Sequence, residues 1–387
     1  MINKLHAILF LAIAVTLFAT PLHAVEAASK KGETEFGFYM EFSYFNDRGR
    51  AWTGSEASFS TRLKADLKHH LYDDILLRAK AVWSPSVNRH TIGGDSFDKR
   101  EARPEDVYMQ FNGLMGHPIE LRMGSVKVPF GHFDFMSFEE RNRPIGFSRT
   151  REWDYGLRMD TVINKHSVSF AVINGDGIDG TDANSAKSVA IRVAYPAGKE
   201  ESAYPKTLEI TDYPNPLNSN PSGGFLWQTG VSAYVGNRYS TPIKIKNSHY
   251  GFDFKVDYSI ISLKGQYSFL EGGFTNSGVV LSPEELSRAV TDTYPRGYSG
   301  AMELAVGLNS KTVITVMAEK YDPDSDSDNS GAQKTKTRLV IGARYEYRKD
   351  VSMAIFYTYN DDPGYLYVAE NTGRGNDVYM LGVAARF

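Results

Sequence analysis

Basic side chains recur at every second position in two neighbouring stretches of the chain. Arg62, Lys64 and Lys68 alternate with apolar residues in "SFSTRLKADLKHH", and Arg78 and Lys80 do the same in "DILLRAKAVW". Only Asp66 opposes them within their own stretches. A period of two places all five cations on one face of extended chain. Such a row is a track for anions, because guanidinium offers forked donors to phosphate or carboxylate and ammonium adds point charge. Arg338 and Arg344, with Lys336, repeat the arrangement further on. A second cluster, Arg141, Arg143, Arg149 and Arg151, lies in the non-periodic "HFDFMSFEERNRPIGFSRTREW". Glu139, Glu140 and Glu152 sit among those arginines and oppose them.

Other chemistries find less support. The chain has no cysteine, which removes thiolate catalysis, Cys-ligated zinc and covalent haem attachment. No G-x-S-x-G elbow, H-E-x-x-H pair or Gly-rich phosphate cradle occurs. "DPDSDSDNSG" spaces Asp324, Asp326 and Asp328 in twos, but an EF-hand needs Gly and Glu where Asn329 and Thr335 stand. His69 and His70 adjoin without a third ligand in view. The expectation is therefore no enzyme, no metal and no cofactor. A net charge of −3 gives no field toward nucleic acid.

The elements that must position the cations are strands. In "EFGFYMEFSYF", Phe36, Phe38, Met40, Phe42 and Tyr44 alternate with Glu35, Gly37, Glu41 and Ser43. Counting such segments through 105–113, 119–128, 154–162, 167–174, 187–195, 225–236, 250–258, 261–270, 296–307, 311–321, 336–347, 351–359 and 377–387 gives sixteen. Each is close to the ~9–11 residues of a tilted membrane strand. Short links alternate with long ones at 84–104, 129–153, 174–186, 236–249, 271–295, 322–335 and 360–376. Tight turns at one end and large loops at the other are the layout of a bacterial outer-membrane barrel. Residues 196–224 break the rule, reading either as a long periplasmic turn or as an extra strand pair that makes eighteen. Pro interrupts any ladder there and favours sixteen.

Composition agrees with lipid as the surrounding medium. Aromatics reach 13%, with 23 Tyr and 22 Phe, as girdles at two membrane boundaries require. Mean hydropathy is −0.36, too low for a bundle of membrane helices. Residues 1–24 carry an early Lys4, an apolar run from Ala7 to Ala19 and small residues at Ala24 and Ala27. That is the layout of a secretory signal peptide, cleaved after Ala24 or after Ala27, which implies Sec export. The barrel then occupies 33–387, in contact with outer-membrane lipid and lipopolysaccharide. Along the same faces, Glu41, Asp106, Glu120, Asp253, Asp257 and Glu303 are expected to point inward with the cations. The lumen thus reads as anion-preferring or as a general pore with balanced charge.

One stretch is more specific. "LRMGSVKVPFG", the Arg-rich segment after it and "DYGLRM" resemble the phosphate-selective porin O and P family, as does "FAVINGDG" at Phe170–Gly177. The resemblance implies a third external loop folded into the lumen, with Lys127, Arg141, Arg143, Arg149 and Arg151 at the constriction and small phosphate-like anions as solutes. Lys127, Pro129, Phe130 and Gly131 match the family's motif. It also implies a homotrimer. The terminal Phe387, with apolar residues at alternate preceding positions, resembles the signature read by the barrel-assembly machinery. A barrel acting as a sleeve for a partner, such as an electron-transfer cytochrome, has the same strand pattern and stands as the alternative.

Overall fold

In a computed structural model of the chain, the residues described are 31–47, 56–83, 103–113, 118–131, 153–174, 187–196, 215–220, 222–240, 243–275, 296–322, 336–348, 350–360 and 378–386. The expected signal peptide, the four loop arginines, the triple-Asp stretch and Phe387 fall outside them.

Sixteen strands close into one antiparallel barrel. They are β1 Thr34–Asp47, β2 Glu56–Tyr72, β3 Ile75–Trp83, β4 Arg103–Asn112, β5 Ile119–Lys127, β6 Trp153–Ile163, β7 His166–Ile173 and β8 Ser188–Tyr195. Then follow β9 Phe225–Ser240, β10 Ile243–Tyr258, β11 Ile261–Thr275, β12 Arg296–Asn309, β13 Thr312–Asp322, β14 Lys336–Arg348, β15 Val351–Asn360 and β16 Val378–Arg386. Each strand pairs with its sequence neighbour, and β16 pairs with β1 from Tyr39↔Arg386 to Asp47↔Val378. Closure leaves no sheet edge, which a bilayer without water in its core demands. Among the described residues one short helix, α1 Pro216–Ser219, precedes β9. No helix among the described residues is long and apolar enough to cross a membrane.

The barrel is inside-out relative to a water-soluble protein. Large apolar side chains such as Leu304, Ile341, Ile355, Leu381 and Val231 are exposed on the outer face. The inner face is buried and mixed: Ile355 is 58% exposed outside, whereas the inward Arg158, Asp253 and Glu303 are 0%, 0% and 1% exposed. On the β12–β16 side the inward residues Ala305, Val313, Met317, Val340, Ala354 and Phe356 form a buried apolar cluster. An apolar exterior of this extent is matched by hydrocarbon. Toward the tight turns it ends in a belt of Tyr72, Tyr195, Phe225, Trp227, Tyr258, Tyr345 and Tyr347, all exposed. Within that belt, Tyr195 packs 5.7 Å from Trp227 and 4.9 Å from His166. Rings with one wet and one greasy side settle at such boundaries.

The turns explain the register. Asn164 and Lys165, between β6 and β7, both have positive φ (49° and 68°), the backbone of the two-residue hairpin whose twist suits flanking strands. Two expectations about links resolve here. β8 pairs directly with β9, from Val189↔Val235 to Tyr195↔Thr229, so no strand pair intervenes and the count is sixteen rather than eighteen. The link expected at 236–249 is instead ladder: β9 and β10 stay paired from Tyr258↔Phe225 to Ile243↔Ser240, with only residues 241–242 between them. Asn237, Arg238, Lys244 and Lys246 interrupt the apolar alternation, so the sequence alone reads there as loop.

Candidate functional site

The inner face of the wall is the candidate site, and it is laced by charge pairs. Arg78 donates to both oxygens of Asp66, at 2.9 and 2.6 Å, and stands 3.6 Å from Asp106. Its other Nη donates to the hydroxyl of Tyr108 at 3.4 Å, and the guanidinium of Arg122 lies over that same ring at 5.4 Å. Arg122 donates to Gln110 at 2.9 Å, pairs with Glu120 and reaches Asp160 at 3.5 Å. Arg158 holds Asp160 from the other side at 2.8 Å and reaches Ser169 at 3.5 Å. One polar chain thus crosses six consecutive strands, β2 to β7.

Similar pairs continue round the wall. Arg192 on β8 donates to both oxygens of Asp253 on β10, at 3.1 and 2.8 Å. The pair spans β9 at Gly230, where a Cβ would stand 2.7 Å from Asp253 Oδ1. Lys264 faces Glu303 at 3.6 Å, Arg338 meets Glu319 at 2.7 Å, and Arg344 meets Glu346 at 3.3 Å.

The cations of the first track have more acids near them than their own segments supply. Lys68 donates to Glu35 at 3.1 Å, and His70 lies 3.7 Å from the same carboxylate. Lys64 is buried with its ammonium 5.8 Å from the Tyr39 ring centroid. Lys80 stands opposite Asp66 on one side and Asp106 on the other. Arg62 pairs with Glu41 through the backbone register. Antiparallel neighbours on one face sit about 5 Å apart, so partners come from the next strand. Reading along a single strand does not reveal them. His69 receives or donates a bond with Thr34 at 2.9 Å.

Arg122, Arg158, Arg192, Lys264 and Glu319 were not among the expected site residues. The period-two count would have found Arg122 between Leu121 and Met123, and Arg158 between Leu157 and Met159.

The wall is interrupted where β5 ends. β4 pairs with β5 only as far as Gly124, whose φ is +134° and whose added Cβ would collide with the carbonyl of Val107. From Ser125 to Gly131 every residue is buried, with no alternation. β5 stays paired with β6 through Lys127↔Trp153, so the chain loses β4 after Gly124 and leaves the wall after Lys127. Val126, Val128 and Phe130 pack with Ala171, Ile173, Ala190 and Tyr234 on the inner faces of β7, β8 and β9. Phe130 meets His249 of β10 edge-on at 6.1 Å, and Gly251 leaves room for it, since a Cβ there would lie 3.0 Å from Phe130 Cζ. Gly131, at φ +62°, donates its N–H to Ser232 at 3.0 Å and lies against Gln266 of β11. Lys127 is buried, and its carbonyl accepts from Arg158 at 2.8 Å. The chain therefore crosses the interior toward β9–β11. Arg141, Arg143, Arg149 and Arg151 follow beyond the described residues.

No group of three metal-ligating side chains occurs among the described residues. The chemistry on offer is a water-compatible wall of fixed, alternating charges and a polypeptide obstruction inside a closed tube.

No family model matches the chain, and neither does any curated protein. Solved structures do. The outer-membrane channel DcaP of Acinetobacter baumannii is similar over 94% of this chain and 100% of its own, at 9% identity and TM-score 0.62. An anion-selective porin from Comamonas acidovorans is similar over 92% and 100%, at 8% identity and TM-score 0.58. The outer-membrane protein OmpT of Vibrio cholerae is similar over 94% and 100%, at 10% identity and TM-score 0.57. At such identities the shared property is the fold, a closed porin-type barrel.

Proposed function

We propose that the protein is a passive diffusion porin of the bacterial outer membrane, passing small hydrophilic solutes with a preference for anions. The observation that carries this reading is the barrel's apolar outer face around an interior lined in large part by ion-paired charges, with an inward crossing at Val128–Gly131. Fixed charges lining a water path bias which ions enter, and an obstruction sets the narrow point. The porin-type neighbours support the channel class; the motif "KVPFG" with its following arginines supports anions of the phosphate type. Export through the leader at 1–24, insertion guided by Phe387 and assembly as a homotrimer belong to the same proposal. A sleeve for a partner protein is less well supported, because two polypeptide segments already occupy the interior.

Planar-bilayer recording tests the reading. The purified protein is expected to form open channels, and a KCl gradient is expected to give a reversal potential of the sign for anion preference. Preferential passage of cations would defeat the anion assignment while leaving the channel. Single replacements of Arg141, Arg143, Arg149 and Arg151 by Ala are expected to weaken the preference at two or more of the four positions. Loss of phosphate block in those variants would place the narrow point at the arginines.

A further inference from the structure

The tight-turn mouth of the barrel also holds chain. Residues 215–220 lie just ahead of β9, yet Asn215, Leu217 and Asn218 dock three strands away. Asn215 donates its side-chain amide to the carbonyl of Asn309 at 2.6 Å, and Asn218 donates to that of Ser310 at 2.9 Å. Both acceptors belong to the β12–β13 turn. The contact is on the inner side of the wall: Gly307 alternates with the buried Glu303 and Ala305, and a Cβ on it would collide with Asn215 and approach Leu217 at 3.2 Å. From β9 to β12 is about 14 Å at ~4.8 Å per strand. The segment therefore lies inside the mouth, along the rim over three of the sixteen strands.

It is also braced against itself. Asn215 caps α1 by accepting from the Leu217 N–H at 3.1 Å, with Pro216 at the first helical position. Asn220 donates to the Gly224 carbonyl at 2.6 Å and accepts from Ser222 at 3.1 Å. The Gly223 N–H donates to the Asn220 carbonyl at 3.0 Å. Asn215 and Asn220 are both buried. Every residue of "NPLNSNPSGG" is uncharged. A stiff, neutral obstacle excludes by size and leaves the sign of the charge unread.

Resting on the diffusion-channel reading, we infer that residues 215–220 and 222–224 narrow this mouth as a second constriction, in series with the crossing at Val128–Gly131, which limits solute size and not ion selectivity. The chain has no cysteine, so Asn218→Cys supplies a unique thiol at an exposed position. A bulky neutral thiol reagent is attached, and complete modification is established by mass before recording. The adduct is expected to lower single-channel conductance by about half while the reversal potential in a KCl gradient stays put. The double variant Asn215→Ala, Asn218→Ala removes the docking and is expected to raise conductance and admit larger neutral polyethylene glycols. Conductance unchanged by the complete adduct overturns the second constriction. A shift of reversal potential on neutral modification overturns its neutrality. An unmodified protein with no conductance at all sinks the channel reading instead, which keeps the two failures apart.

Discussion

Two segments enter this barrel, from opposite ends, and they are held by different forces. Val128–Gly131 is held by burial: Phe130 is wholly buried against Tyr234, His249 and the notch at Gly251. Residues 215–220 are held by amide hydrogen bonds to turn carbonyls, with Leu217 as their apolar contact at Gly307. Burying a large aromatic contributes several kcal/mol, whereas an exchangeable amide bond contributes about 1 kcal/mol net. The first is thus an integral part of the fold, and the second is a local fixture. The wall accommodates both in the same way, through a glycine on the inner face where the segment lands.

The largest test of that contrast is Phe130→Ala. It is expected to lower stability by about 3–5 kcal/mol, as other buried Phe truncations do. Urea unfolding from lipid vesicles, followed by tryptophan fluorescence, reads it; a loss below about 1 kcal/mol would mean that burial does not hold the crossing. Next comes Gly251→Val, which fills the notch from the other side. Overpacking of this kind costs about 1–3 kcal/mol, and the loss should largely vanish in the Phe130→Ala background because both act on one contact. Asn215→Ala is smaller, about 1 kcal/mol for its lost bonds, and is expected to leave the Phe130 site untouched. Additive losses in Phe130→Ala, Asn215→Ala would establish independence, while strong coupling would show that the two ends communicate. Asn218→Ala is the smallest, a few tenths of a kcal/mol for an exposed amide; equality with Asn215→Ala would erase the distinction between buried and exposed bonds.

The charged wall shows a comparable contrast between what is near in sequence and what is near in space. Asp160 lies two residues from Arg158 on one strand, and period-two counting puts both on one face. Arg192 and Asp253 are far apart along the chain, and only the register of β8, β9 and β10 brings them together over Gly230.

Much of the architecture was legible in the letters. The alternation of Phe36, Phe38, Met40 and Phe42 with Gly37 and Glu41 fixed strand, face and inward acid together, because an apolar outside and a polar inside force a period of two. Where polar and charged residues break the alternation, as at Asn237, Arg238, Lys244 and Lys246, the letters read as loop although the β9–β10 ladder continues. The need for the first and last strands to pair follows from an even barrel in lipid, but the register of β1 on β16, the salt-bridge partners across strands and the notches at Gly230, Gly251 and Gly307 were decided by tertiary structure alone. The reason is physical: a residue's own strand sets which way it points, but closure and register set whom it meets.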